Sequence, residues 1–245
     1  MEIIGYSERG AMNALFYGMA LNGKGDSQMV EFLRLAKIEC PESFSKFEVY
    51  NEFSLSEFGS PDLVIIAQKG NNSVAFFVEA KVSDGTSFDI GKQKTHHEEY
   101  IDDGQYVSGH ASNLFFQFRL KHYFFKQKDT IIKDQGGSIG ESKKIETTKD
   151  RNGEERYRKI GDNPVVIKFA DKISHCTNAY YIAIIPQQNQ PIENPKDLPK
   201  SLKIYYVSWE EIYKSEIFRS LLEKTFDFNK DGDVSQILNK PKTNK

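Results

Sequence analysis

Cysteine is scarce. Cys40 and Cys176 are the only two in 245 residues, and neither sits in a CxxC or histidine-rich spacing. That argues against a disulfide framework or a structural zinc site and fits free thiols in a reducing compartment. Net charge is nearly absent as well: 33 Lys and Arg face 35 Asp and Glu, a formal −2 at pH 7. This excludes a histone-like basic protein but not a local basic groove, because patches rather than totals govern contact with nucleic acid. Long apolar runs are missing. Leu63–Ala67 and Val74–Val78 are strand-sized, far too short to span a bilayer. The opening MEIIGYSERG has no basic segment ahead of an apolar one and does not read as a signal peptide. A soluble cytoplasmic protein with no membrane partner is expected. No GxSxG and no glycine-rich phosphate loop occurs, which removes two common nucleophile and phosphate motifs.

Two further signals are incomplete. Asp227, Asn229, Asp231, Gly232 and Asp233 open like an EF-hand loop, but Leu238 stands where the bidentate Glu belongs, so the segment reads as a turn. His96-His97-Glu98-Glu99 has no second helical His at a metal-ligand offset and reads as a solvated loop.

The chain does have 18 Phe, 12 Tyr and 38% hydrophobic residues, enough for a sizeable core. Met12, Leu15, Phe16 and Met19 share one face of a helix over Gly10–Leu21, with Ser7 as a candidate N-cap. A second helix is expected over Ser27–Ile38. Phe47–Leu55 alternates as a strand, placing Phe47, Val49, Asn51 and Phe53 on one face. Asp62–Gln68 and Ser73–Val82 form a hairpin around Gly70-Asn71. A helix over Ser112–Lys126, strands over Tyr180–Ile185 and Lys203–Val207, and a helix over Glu210–Thr225 complete the pattern. The expected fold is α/β: one mixed sheet flanked by helices, in a single domain spanning residues 1–245 with polar insertions near 83–110 and 127–163.

The hairpin has a chemical consequence. With Gly70-Asn71 as a two-residue turn, Lys69 faces Asn72, and Asp62 faces Glu79. Directly opposed residues share a sheet face with Cβ atoms about 5 Å apart, and Lys81 shares that face two residues on. Two carboxylates that close repel unless a cation lies between them. Oxygen ligands of this kind suit Mg²⁺, with Mn²⁺ as a substitute. Such an ion polarises a phosphate oxygen and acidifies a bound water, and a lysine beside it can orient that water or offset charge on the phosphorane. These are the parts phosphodiester hydrolysis requires, and both carboxylates are expected to face an open cleft. The alternative is a salt bridge among Asp62, Glu79 and Lys81.

Pro61-Asp62, sixteen residues, then Glu79-Ala80-Lys81 resembles the PD-(D/E)XK nuclease superfamily, as does the order of elements between Ser7 and Glu211. The resemblance implies a restriction-endonuclease-like core and a metal-dependent nuclease. DNA is the more expected substrate than RNA, a restriction or phage-defence role is suggested, and a homodimer is compatible with it. It implies that Asp62, Glu79 and Lys81 are catalytic and that Asp62 and Glu79 hold the metal. An acidic residue of the first helix is a further ligand in the family; Glu8 is the candidate and Glu31 the fallback. The family's glutamine with a following basic residue looks like Gln117, with Arg119 and Lys121 set to contact nucleic acid. Glu52 resembles an accessory acidic position, although a plain strand-face Glu is the simpler reading. One departure is the roughly thirty residues between Lys81 and the Gln117 helix, longer than a typical connection. A catalytically inactive nuclease-like module that binds nucleic acid or protein is the competing function. The basic residues Arg119, Lys121, His122, Lys126 and Lys128 could follow a phosphate backbone. Those between Lys143 and Lys159 are diluted by acids.

Overall fold

The structure is a computed structural model. It describes residues 7–228 apart from 22, 52–53, 56–57, 83–88, 104–112, 134–146, 150–154, 158–163, 187–192 and 197. In chain order its elements are α1 (Ser7–Leu21), α2 (Gly25–Leu35), a 3-10 turn (Pro41–Ser43), β1 (Phe44–Asn51), β2 (Leu63–Lys69), β3 (Asn72–Ala80), α3 (Ile90–Asp103), α4 (Leu114–Lys133), β4 (Thr147–Lys149), β5 (Glu155–Tyr157), α5 (Pro164–Lys172), β6 (Cys176–Ile185), β7 (Ile204–Ser208), α6 (Trp209–Lys214) and α7 (Glu216–Phe228).

Five strands form one mixed sheet in the order β1-β2-β3-β6-β7, and β4-β5 is a separate ribbon. β1, β2 and β3 are antiparallel neighbours, whereas β6 runs parallel to both β3 and β7. Apolar residues run almost without break along β2, β3 and the second half of β6, as strands covered on both faces require. Leu63, Ile65, Val74, Phe76, Val78 and Ile184 pack with α1, α2, α6 and α7. Val64, Ile66, Ala75, Phe77, Tyr181 and Ala183 pack with α4 and α5 on the opposite face. An α/β chain with a mixed sheet between helical layers is therefore what forms. Among the described residues no helix is long and apolar enough to cross a membrane.

Some expectations need correction. The first strand begins at Phe44, not Phe47, and its pairing with β2 slips between Ser45 and Glu48, where Lys46 takes φ +50°. The bulge breaks the period-two alternation, so Val49 is exposed while Tyr50 packs against the α4–α5 face. The polar stretch near 83–110 contains a helix, α3, instead of a loop, and His97 on it is fully buried with its ring 6.1 Å from that of Phe115. Within the stretch near 127–163, the described residues belong to the end of α4 and to the β4-β5 ribbon. The closing helix is also two helices, broken at Ser215, which takes ψ 123°. Glu52, and most of the turn that opens like an EF-hand, lie outside the described residues.

Asn113 fixes the start of α4. Its Oδ1 accepts from the Phe116 N–H at 3.1 Å, and its Nδ2 donates to the Gln93 carbonyl at 2.7 Å. Gln93 returns the contact by accepting from the Leu114 N–H at 3.0 Å. An Asn cap satisfies N–H groups that the helix cannot, and here it also ties α4 to α3, setting the helical phase of Gln117 and Lys121.

Candidate active site

The hairpin register is the expected one. Lys69 faces Asn72 and Leu63 faces Val78, which sets Asp62, just ahead of β2, against Glu79. The half-buried Asp62 ends the ladder with its side chain: Oδ2 accepts from the Ala80 N–H at 2.8 Å. Lys81 is held through its backbone. Its N–H donates to the Ile184 carbonyl at 2.7 Å, and its carbonyl accepts from the Trp209 indole at 3.2 Å. A capping box sets that indole: Ser208 Oγ accepts from the Glu211 N–H at 3.0 Å, and Glu211 accepts from the Ser208 N–H at 2.8 Å.

Glu79 does not face an open cleft. It is fully buried on the face of β3 that meets α4, and Lys121 Nζ lies 2.7 Å from its Oε1. Lys121 is equally buried, so its assignment to nucleic-acid contact is overturned. A carboxylate buried in this way needs an internal cation, and Lys121 supplies it. A salt bridge does form here, but it joins Glu79 to Lys121 and is not the expected one among Asp62, Glu79 and Lys81. Gly59 lets the ammonium in. It takes φ +78°, and a Cβ there would lie 3.2 Å from Lys121 Nζ. Burial raises the Glu79 pKa to about 7; Lys121 and Lys81 pull it down, and Asp62 pushes it up.

Glu8 reaches the same strand end from α1. Its Oε2 accepts from the Val82 N–H at 3.2 Å. Burial raises its pKa to about 7, with Lys81 lowering it and Asp62 raising it. Glu8, Asp62, Glu79 and Lys81 thus act on one another electrostatically. Glu31 does not join them; it pairs with Arg34, which also binds Glu42 at 2.6 Å. Of the two helix acids, Glu8 is the one brought to the hairpin.

A raised carboxyl pKa sets the sign of a stability change. Glu8 contributes fully below its unfolded value of 4.5, and that contribution is lost as pH rises through about 7. The denaturation midpoint in metal-free buffer should therefore drop across this interval in the wild type. It should drop less in Glu8→Gln, which can keep the bond from Val82. Equal slopes would show that Glu8 is solvated.

Gln117 lies one turn before Lys121 on the same face of α4. It is half-buried, and its Oε1 is buried without a hydrogen-bond partner. Arg119 points elsewhere, about 200° round the helix from Lys121, with its guanidinium 5.8 Å from the Tyr123 ring centroid. His122 is not a surface cation either. Tyr181 Oη lies 3.0 Å from its Nδ1 and Ser201 Oγ 3.2 Å from its Nε2, and burial, then Lys126, lowers its pKa to about 4.

A cleft of about 170 Å³ opens on the Asp62 side, lined by Arg9, Met12, Asn13, Ser54, Ser60, Pro61 and Asp62. Of these only Asp62 was anticipated. Among the described residues no three His, Cys, Asp or Glu side chains already close round one point as a cation cage. The donor chemistry nevertheless suits a hard divalent ion. It offers carboxylates whose charge is disfavoured without a cation, together with the unpartnered amide oxygen of Gln117. No protein-family model matches the chain, and no curated protein or solved structure matches it either.

Proposed function

We propose that the chain is a Mg²⁺-dependent nuclease with a restriction-endonuclease-like core, acting on DNA in preference to RNA, with Mn²⁺ able to replace Mg²⁺. The observation that carries this reading is the hairpin register, which sets Asp62 against Glu79 with Lys81 two residues further along. Asp62, Glu79 and Glu8 are the residues that would hold the ion, which supplies Lewis-acid polarisation and an acidified water. The Ala80 N–H orients the Asp62 carboxylate at the cleft wall. Lys81 offsets the charge that builds on the phosphate oxygens, and the hydrogen bonds at its N–H and carbonyl hold the backbone that carries it. Gln117 offers an acceptor for a water or a ligand proton. A role in restriction or phage defence belongs to the same reading, as does a homodimer.

One observation favours a second reading. The Glu79–Lys121 pair leaves a ligand carboxylate already neutralised, as suits a nuclease-like module that binds without cutting. Incubating the purified protein with plasmid and single-stranded DNA separates the two. Cleavage that appears with Mg²⁺ or Mn²⁺ and stops with EDTA supports the nuclease. Binding without cleavage under any divalent ion supports the inactive module.

A further inference from the structure

The cleft beside Asp62 continues as a polar strip along α1. Arg9 and Asn13 line it, and Tyr17 follows one turn later. These residues stand at i, i+4 and i+8, so they climb one side of the helix over about 12 Å. The opposite wall is bonded to them: Tyr17 Oη donates to Asn51 Oδ1 at 2.9 Å, and Asn51 Nδ2 donates to Asn13 Oδ1 at 3.0 Å. Ser54 and Ser60 complete that wall where it reaches Asp62. Tyr17 remains 44% exposed even with its hydroxyl engaged, and Leu21, one further turn along, is 59% exposed.

We infer that this strip binds a single nucleic-acid strand running into the Asp62 side of the site. Its direction toward Asp62 rests on the nuclease reading; its binding does not. Amide, hydroxyl and guanidinium groups are what proteins present to phosphate and sugar. An exposed tyrosine offers a ring on which an unpaired base stacks, a contact worth about 1–3 kcal/mol per base. Paired bases keep their faces inside the helix and cannot use Tyr17. Duplex binding also draws on many phosphate contacts, whereas Arg9 is the one cation among the described residues that line the cleft. The strip therefore favours an unpaired strand held by stacking and hydrogen bonds.

The test is fluorescence anisotropy with a short fluorescein-labelled oligothymidylate and a duplex of equal length, using the full chain in EDTA so that cleavage plays no part. The single strand should bind more tightly than the duplex. Tyr17→Ala should weaken it about five- to a hundredfold, and Tyr17→Phe should bind like wild type, because the ring and not the hydroxyl bond to Asn51 is what counts. The salt dependence should be shallow, and Arg9→Ala should reduce its logarithmic slope by about 0.7. Tighter duplex binding, or unchanged affinity in both Tyr17→Ala and Arg9→Ala, overturns the inference even if the protein cleaves DNA. Strand binding that depends on Tyr17 in a protein that cleaves nothing leaves the strip standing and removes the nuclease.

Discussion

Asp62→Ala is expected to abolish metal-dependent cleavage, the rate falling on the order of a thousandfold or more, in a protein that still folds. The residue is half-buried at a cleft wall, and its hydrogen bond from the Ala80 N–H is worth about 1 kcal/mol. Lys81→Ala should lose about a hundred- to a thousandfold in rate while keeping its affinity for Mn²⁺. In the proposed mechanism the lysine would act on the phosphate and not on the ion, and its backbone stays tied to Ile184 and Trp209 whatever the side chain. Initial rates on DNA, paired with Mn²⁺ calorimetry, separate the two roles. Retained cleavage in Asp62→Ala would remove the metal-site assignment. A loss of Mn²⁺ affinity in Lys81→Ala as severe as in Asp62→Ala would make Lys81 a structural counter-ion.

The largest stability effect should come from Lys121→Met, at about 3–5 kcal/mol, read as a drop in melting temperature on the order of 10 °C. The substitution preserves the stem but leaves the Glu79 carboxylate buried without its neighbouring cation. The loss should depend on pH. Glu79 contributes to stability fully below its unfolded value of 4.5 and loses that contribution as pH rises through about 7. Lys121 is the largest influence holding this pKa down, so removing it lifts the folded value further. The wild type and the variant should therefore converge near pH 4.5 and diverge above pH 7. Glu79→Ala strands the Lys121 ammonium in turn, so it cannot serve as a fold-neutral catalytic control. Replacing both residues together should recover much of what either loses alone, a coupling that a double-mutant cycle measures. A pH-independent loss would mean that Lys121 matters only through packing.

The centre of the site was legible because its geometry is local. A Gly-Asn turn between apolar runs sets the pairing of every residue in the hairpin, and the register follows as far as Asp62 and Glu79. Burial was not legible, since it comes from α4, more than thirty residues downstream. A signal did exist. Leu114 to Phe125 is so rich in Leu and Phe that little of the helix is left for water, and nine residues of that stretch are buried. A lysine inside such a helix calls for a carboxylate. The α3 helix escaped because, among its described side chains, the inward face is carried by His97 and the bonds of Gln93 beside the single apolar residue Ile90. The bulge at Lys46 escaped because alternation across Phe47–Phe53 looked regular, and only pairing with β2 reveals the extra residue.

The single tryptophan gives the protein an optical probe that needs no label. Trp209 is wholly buried, and its indole N–H rests on the carbonyl oxygen of Lys81. With one indole in the chain, its fluorescence comes from one place, beside the backbone between Lys81 and the capped start of α6. A shift or quench on adding Mn²⁺ would report from the end of β3, and the red shift on unfolding would follow the same strand end into water. The emission of the native protein thus offers a continuous reading of whether the peptide that carries Lys81 has moved.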